Sequence, residues 1–273
     1  MGLDPDDGGR RLMDPGMLLA QFGEQQVAGF FLVLARVSPL FVLAPLFSSK
    51  SLPGRVRGIA AVALAFGLSP IVRSGGDVPL DALAFSGLLL KEVLVGLAFS
   101  FILGALFAAV SAAGSLVDTL IGFSFGSLVD PVTGNQSSVL QNMYALIGVL
   151  IFIAIGGDGW VIQGLARTYE LVPLLEAPSI GSMVAGAQVA FSGVFTSALM
   201  ICAPILLALV ITDAAFGVVS RVVPQLNVFA VGFPAKVAVG LLLIGVSLPF
   251  AAGWLADELQ RSVSAALESL RVA

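Results

Sequence analysis

The stretch "LAFSGLLLKEVLVGLAFSFILGALFAAVSAAGSLV", Leu83–Val117, contains only two charges, Lys91 and Glu92. A helix crossing a lipid bilayer needs about 20 apolar residues. With a rise of about 1.5 Å per residue, this stretch would overshoot a hydrocarbon core of about 30 Å by about 20 Å. A helix that stays apolar beyond the bilayer must bury its surplus in protein. The stretch therefore predicts long membrane helices inside an assembly larger than one chain.

The rest of the chain follows the same pattern. Val27–Phe47 carries one charge, Arg36, and Leu226–Ala256 carries one, Lys236. Gly58–Val72, Val139–Ile155 and Met183–Thr212 carry none. Overall 58% of the 273 residues are hydrophobic and 11% are charged, whereas a soluble domain carries about a quarter charged residues. Too few charges remain to coat a globule in water. The predicted class is an all-α integral membrane protein with long, kinked apolar helices paired in hairpins. Prolines at 39, 45, 204 and 249 are expected to interrupt or kink those helices.

Composition also excludes chemistry. The net charge of −4 argues against nucleic acid, which requires a basic stripe. No histidine is present, which removes His-based acid–base catalysis, Ser-His-Asp triads and His metal ligation. The single cysteine, Cys202, sits in an apolar run and reads as a small core residue. No phosphate-loop or dinucleotide motif occurs. No catalytic residue, cofactor or metal site is expected. Residues 1–25, "MGLDPDDGGRRLMD" and onward, lack the pattern of a cleaved signal peptide and read as a polar, disordered tail.

Several features point to packing and orientation. Gly96, Ser100, Gly104, Ala108 and Ala112 recur every fourth residue, a spacing that lets helix backbones approach closely. Packing within the chain and a contact between subunits both produce such a stripe. "SSKSLPGRVRG" carries Lys50, Arg55 and Arg57 and no acid, and by the positive-inside tendency it faces the cytoplasm. Charges within apolar blocks are costly and usually face protein or water. For Arg36 the reading favours a buried partner. For Lys236 and Asp213 a lumen or subunit ion pair and a snorkelling or helix-end charge both stand. Residues 257–273 place Leu259, Val263, Ala266, Leu267 and Leu270 on one helical face, forming an amphipathic helix for a protein surface or the membrane interface.

One segment breaks the pattern: "GFSFGSLVDPVTGNQSS", Gly122–Ser138. Gly122 and Gly126 permit non-helical backbone, and Pro131 disfavours helix at Asp130. Phe123 and Phe125 are bulky enough to fill a hole. Non-helical backbone at membrane depth is tolerated only when it is buried in protein or lines a cavity. The residues alone allow either such a loop or an ordinary turn between spans with Phe anchors at the interface.

"LARVSPLFVLAPLFSSKSLPGRVRG", "GFSFGSLVDPVTG" and "SRVVPQLNVFAVGFP" occur in that order. Together they closely resemble the FliR family of flagellar biosynthetic proteins, whose virulence counterpart is the T component of type III secretion gates. The resemblance runs from about Phe30 to Trp254. Arg36-Val37-Ser38-Pro39, Asp130-Pro131 and Pro224-Gln225-Leu226 match the family pattern residue by residue. Many members look like Asn-Gly-His after the fourth block, where this chain has Gly156-Gly157-Asp158.

The resemblance implies a FliP-like helical part over 26–178, with a plug loop at 114–138, and a FliQ-like hairpin over 179–256. It implies a non-enzymatic subunit of the flagellar export gate in the bacterial inner membrane. The partners implied are FliP and FliQ, with FlhB and FlhA beside them, and the cargo is unfolded flagellar subunits. Gly122, Phe123, Ser124, Phe125, Gly126, Asp130, Pro131 and Gly134 would form the plug of the closed pore. Arg36, Gly96, Ser100, Gly104, Asp213, Arg221, Pro224, Gln225 and Lys236 would serve helix packing or subunit contact. A virulence injectisome gate is the alternative within the family. A secondary transporter binding ions at Asp118 and Asp130 is the alternative outside it, though the chain shows one strong break and no match in its second half. A membrane enzyme is disfavoured by the missing His and by carboxylates with no pairing pattern.

Overall fold

The structure is a computed structural model that describes residues 23–44, 53–72, 77–123, 138–225 and 227–270. The described residues form eight helices and no strand. They are α1 (Glu24–Val37), α2 (Leu40–Leu43), α3 (Gly54–Leu68), α4 (Ala82–Ile121), α5 (Val139–Ala154), α6 (Gly157–Leu171), α7 (Ile180–Val222) and α8 (Val228–Ser269). Among the described residues, four helical stretches are long and apolar enough to cross a membrane, or five if α5 and α6 count as one broken span.

Local chemistry sets the boundaries. Pro39 lacks an N–H, so α1 stops just before it and the chain resumes as α2. The Ser38 hydroxyl donates back to the Leu34 carbonyl at 2.6 Å in the last turn of α1. The Asp81 carboxylate accepts the Ala84 N–H at 3.2 Å and caps α4 at its start. Gly122 ends α4 with φ of 102°, a left-handed conformation that favours glycine, and its N–H reaches the Asp118 carbonyl at 3.0 Å. Gly156 takes φ of 69° where α5 and α6 meet at a bend of 74°. The bend thus falls on the Gly156-Gly157-Asp158 departure from the family pattern. Ser179 and Asn227 cap α7 and α8 with their side chains.

Pro204 in α7 and Pro249 in α8 lie inside continuous helices and interrupt neither, unlike Pro39; Pro45 is outside the described residues. The amphipathic stretch that begins at 257 is likewise no separate helix. It continues α8 without a break. Its apolar face packs on the chain itself: Leu259, Ala266 and Leu270 are buried, and glycines on the facing helices let this part of α8 approach closely. A Cβ on Gly157 would lie 3.0 Å from Leu259, one on Gly164 2.8 Å from Val263, and one on Gly186 2.5 Å from Ser269.

At 40 residues, α4 is about 60 Å long. It is the central helix, and α1, α5, α7 and α8 pack around it. Glycines set the closest approaches. A Cβ on Gly96 would lie 2.1 Å from the Arg36 carbonyl oxygen, and one on Gly114 2.6 Å from the Leu140 carbonyl oxygen. The four-residue stripe holds for part of its length. Gly96 and Gly104 face α1 and α2, and Ser100 between them is buried, but Ala108 is exposed. Each four-residue step rotates about 40° around a helix of 3.6 residues per turn, so a strict repeat leaves any straight seam within a few turns.

The α7–α8 hairpin buries less of itself. Phe191, Phe195 and Ile211 on α7, and Leu242, Val246 and Phe250 on α8, are exposed. These faces suit lipid or further protein and would be unstable in water.

Candidate functional site

Both ends of the 122–138 segment are fixed at one place. Asp118, in the last turn of α4, is buried, and its carboxylate accepts the backbone N–H of Leu140 in the first turn of α5 at 3.1 Å. A carboxylate at a helix start also matches the positive end of that helix's dipole. The Asp118 carbonyl takes the N–H groups of Gly122 and Phe123 at 3.0 and 3.2 Å. Ser138 caps α5 by accepting the Gln141 N–H at 3.1 Å. The chain therefore leaves α4 and returns to it within one turn.

The hairpin clasps the outgoing end. Lys236 on α8 forms an ion pair with Asp213 on α7, and its ammonium also lies 3.5 Å from the Leu120 carbonyl. A cation is favoured there, where the last carbonyls of α4 lack helical partners. Phe123 meets Phe233 edge to face, with ring centroids 5.9 Å apart. A Cβ on Gly240 would sit 2.4 Å from Ile121, so only glycine fits beneath that side chain without a shift.

A second polar cluster lies elsewhere on α4. Arg36 and Glu92 are both fully buried. Arg36 Nε donates to Glu92 Oε2 at 2.5 Å and Nη2 to Glu92 Oε1 at 3.0 Å, a two-pronged pairing. Further donations run to the Val172 carbonyl at 2.8 Å and the Thr168 hydroxyl at 3.3 Å. The guanidinium carbon lies 4.1 Å above the Tyr169 ring centroid, a cation–π arrangement. Lys91 joins from the next position. Its ammonium is 2.8 Å from Glu92 Oε1 and donates to the carbonyls of Leu174 at 2.5 Å and Glu176 at 3.0 Å. One carboxylate thus serves two cations, and the cluster ties α1, α4, α6 and the segment that leads into α7.

The family model "Bacterial export proteins, family 1" matches residues 27–262. The chain belongs to the FliR family of bacterial export proteins. It is 30% identical over 223 residues to the flagellar biosynthetic protein FliR of Escherichia coli K12, covering 82% of this chain and 85% of that one. Against the flagellar biosynthetic protein FliR of Bacillus subtilis 168 it is 33% identical over 226 residues, covering 80% and 85%. The surface presentation of antigens protein SpaR of Shigella flexneri is 26% identical over 215 residues, covering 78% and 82%. The FliR resemblance drawn from three short motifs thus extends over most of the chain, and places it among the membrane components of type III export.

The structure spreads the predicted residues of this FliR-family chain over separate places. Gly122 and Phe123 directly follow the last turn of α4; Ser124, Phe125, Gly126, Asp130, Pro131 and Gly134 lie outside the described residues. Gly96 and Gly104 abut the backbones of Arg36 and Leu43, and Ser100 sits between them with its buried hydroxyl unpartnered among the described residues. Arg221, Pro224 and Gln225 are exposed where α7 ends. Asp213 and Lys236 pair with each other within the chain. Glu92, Tyr169, Asp118 and Phe233 carry the geometry without having been singled out for it. Lys91-Glu92 inside an apolar block was the available signal for the first of these, and Asp118 at the end of that block for the third.

Proposed function

We propose that this chain is a non-enzymatic subunit of the flagellar type III protein-export gate in the bacterial inner membrane. In this reading it assembles with FliP and FliQ, lies beside FlhB and FlhA, and helps form the channel for unfolded flagellar subunits. The family match over residues 27–262 is the observation that carries it. The flagellar relatives cited are 30% and 33% identical and the Shigella relative 26%, which favours the flagellar system over an injectisome. Helices of 40 to 43 residues with long exposed apolar faces support membership of a larger assembly. A FliP-like part at 26–178 and a FliQ-like hairpin at 179–256 agree with α7 and α8 lying together against α4.

In the same reading, the loop at 122–134 plugs the closed pore. Support comes from its roots. The Asp118–Leu140 bond makes the segment leave and return at one point. Half its length, fully extended, would reach about 22 Å, more than the about 10–12 Å width of a helix. Glycines supply the bends and Phe123 and Phe125 the bulk. Asp118 as an ion site in a transporter fits less well, because its carboxylate is already engaged in holding the loop root.

Co-expression of tagged chain with its FliP and FliQ tests the assembly. Stable co-purification, together with restored filament export in a strain lacking this subunit, is expected. A lone monomer that takes up a labelled small solute would overturn the reading in favour of a transporter.

A further inference from the structure

Residues 172–179 are the covalent link between α6 and α7, and cations on α1 and α4 hold their carbonyls. Arg36 Nη2 donates to the Val172 carbonyl at 2.8 Å. The Lys91 ammonium lies 3.3 Å from the Pro173 carbonyl oxygen, 2.5 Å from that of Leu174 and 3.0 Å from that of Glu176. Glu92 Oε1 stands 2.8 Å from the same nitrogen. Four of the five carbonyls from Val172 to Glu176 therefore accept from a cation. A tight turn shapes the three around Lys91. The Glu176 N–H donates to the Pro173 carbonyl at 3.1 Å, and the chain curls so that the oxygens of 173, 174 and 176 meet at one point. Carbonyl oxygens are the negative ends of peptide dipoles. Oxygens that converge repel one another unless a positive charge sits between them.

An ammonium is a compact charge with three N–H donors, and here four oxygens surround it. Cation sites built from main-chain carbonyls work in this way, the oxygens replacing an ion's water. Glu92 is already paired on both oxygens by Arg36, so little net negative charge remains in the cage. That suits a monovalent cation, whereas calcium takes about six to eight oxygens, several of them from carboxylates. We propose that the α6–α7 connection forms an oxygen cage for a monovalent cation of ammonium size, and that Lys91 supplies this cation from its own side chain. In this role Lys91 is a positioning residue. It acts through the carbonyls of 173–176 and fixes the direction in which α7 leaves α6. An ion pair with Glu92 alone would not require three convergent carbonyls, and packing alone would not require a charge. The Lys91 side chain is 13% exposed, so a shortened residue leaves the cage within reach of ions in solution.

The test uses the full-length chain in detergent. Nitroxide labels are placed through Leu83→Cys on α4 and Val189→Cys on α7, both exposed positions, in a Cys202→Ser background. The distance distribution between them reads the setting of α7 against α4. Lys91→Met is expected to widen that distribution and to lower the thermal unfolding midpoint. Potassium or ammonium chloride should narrow the distribution again and raise the midpoint in a saturable way. N-methylglucamine chloride at the same ionic strength should do neither, and the wild type should respond to none of the three salts. Lys91→Arg should also widen the distribution. Its planar guanidinium keeps a charge beside Glu92 but does not fit among carbonyls set for an ammonium. A residue that served only as a partner for Glu92 would tolerate that change, so a Lys91→Arg distribution as narrow as wild type overturns the cage. If Lys91→Met does not accumulate, the Lys91→Arg distribution decides alone, and a wider one supports the cage. An unchanged distribution in Lys91→Met also overturns it, as does a wider one that potassium and ammonium fail to narrow or that N-methylglucamine narrows equally.

Discussion

Leu140 donates its backbone N–H to the Asp118 carboxylate at 3.1 Å, bonding the first turn of α5 to the last turn of α4 across the whole 122–138 segment. The facing ends of the two helices are joined at that point. Asp118→Asn keeps an acceptor oxygen and is expected to preserve the closure. Asp118→Ala leaves the Leu140 N–H without this acceptor, at a cost of about 1–3 kcal/mol. Limited proteolysis of the purified gate reads the difference: faster cleavage within 122–138 for the alanine variant and wild-type cleavage for the asparagine one.

The Arg36–Glu92 pair gives the largest expected stability effect. Removing one member strands the other charge in the interior, which costs about 3–5 kcal/mol. Glu92→Gln strands both Arg36 and Lys91, and Arg36→Met strands Glu92 with Lys91 alone. Both single variants should lower the thermal unfolding midpoint and the yield in detergent. The double variant should lose less than the sum of the two, because the pair acts as a unit. Simple additivity would mean that the two side chains do not depend on each other.

Gly96, Ser100 and Gly104 share a face but should respond differently. Gly96→Ala places a methyl 2.1 Å from the Arg36 carbonyl oxygen and forces α1 and α4 apart, whereas Gly104→Ala meets the Leu43 carbonyl oxygen at 3.3 Å. Overpacking costs about 1–3 kcal/mol, and the Gly96 variant belongs at the high end. Ser100→Ala removes a buried hydroxyl with no partner among the described residues and should be neutral or slightly stabilising. Thermal midpoints measured together would reveal the order Ser100→Ala above Gly104→Ala above Gly96→Ala.

At the α5–α6 bend, Gly156 has φ of 69° and open space around its Cβ position. Gly156→Ala therefore tests backbone strain alone, with an expected cost of about 1–2 kcal/mol. Gly156→Asn should cost less, because asparagine tolerates the left-handed region. The pair of unfolding midpoints checks this, and equal losses would contradict it.

Much of the fold was legible because the bilayer imposes a simple length rule. The apolar block Leu83–Val117 lies wholly within α4, and its excess length announced a helix that must be buried by others. Pro39 and Gly122 likewise marked where helical backbone should fail. The C-terminal face did not reveal its partner, since an amphipathic pattern records that a face is buried but not against what; Gly157 and Gly164 in α6 became visible as its seat only in three dimensions. The partner of Arg36 was hidden for a similar reason. Glu92 was plain in the sequence, but pairing it with Arg36 requires the crossing of α1 over α4 at Gly96, which no local pattern encodes. The four-residue stripe lost its common face at Ala108 because the helix period is 3.6 and not 4.

The central claim is that residues 122–134 close the pore of the resting gate. It is tested most directly by the resting permeability of membranes that contain the assembled complex, compared between the wild type and variants with Gly122–Val129 shortened or with Phe123 and Phe125 both changed to Ala. The account predicts normal assembly and a membrane that leaks small solutes and ions before any cargo engages. A membrane as tight as wild type, with the complex assembled in full amount, would contradict it.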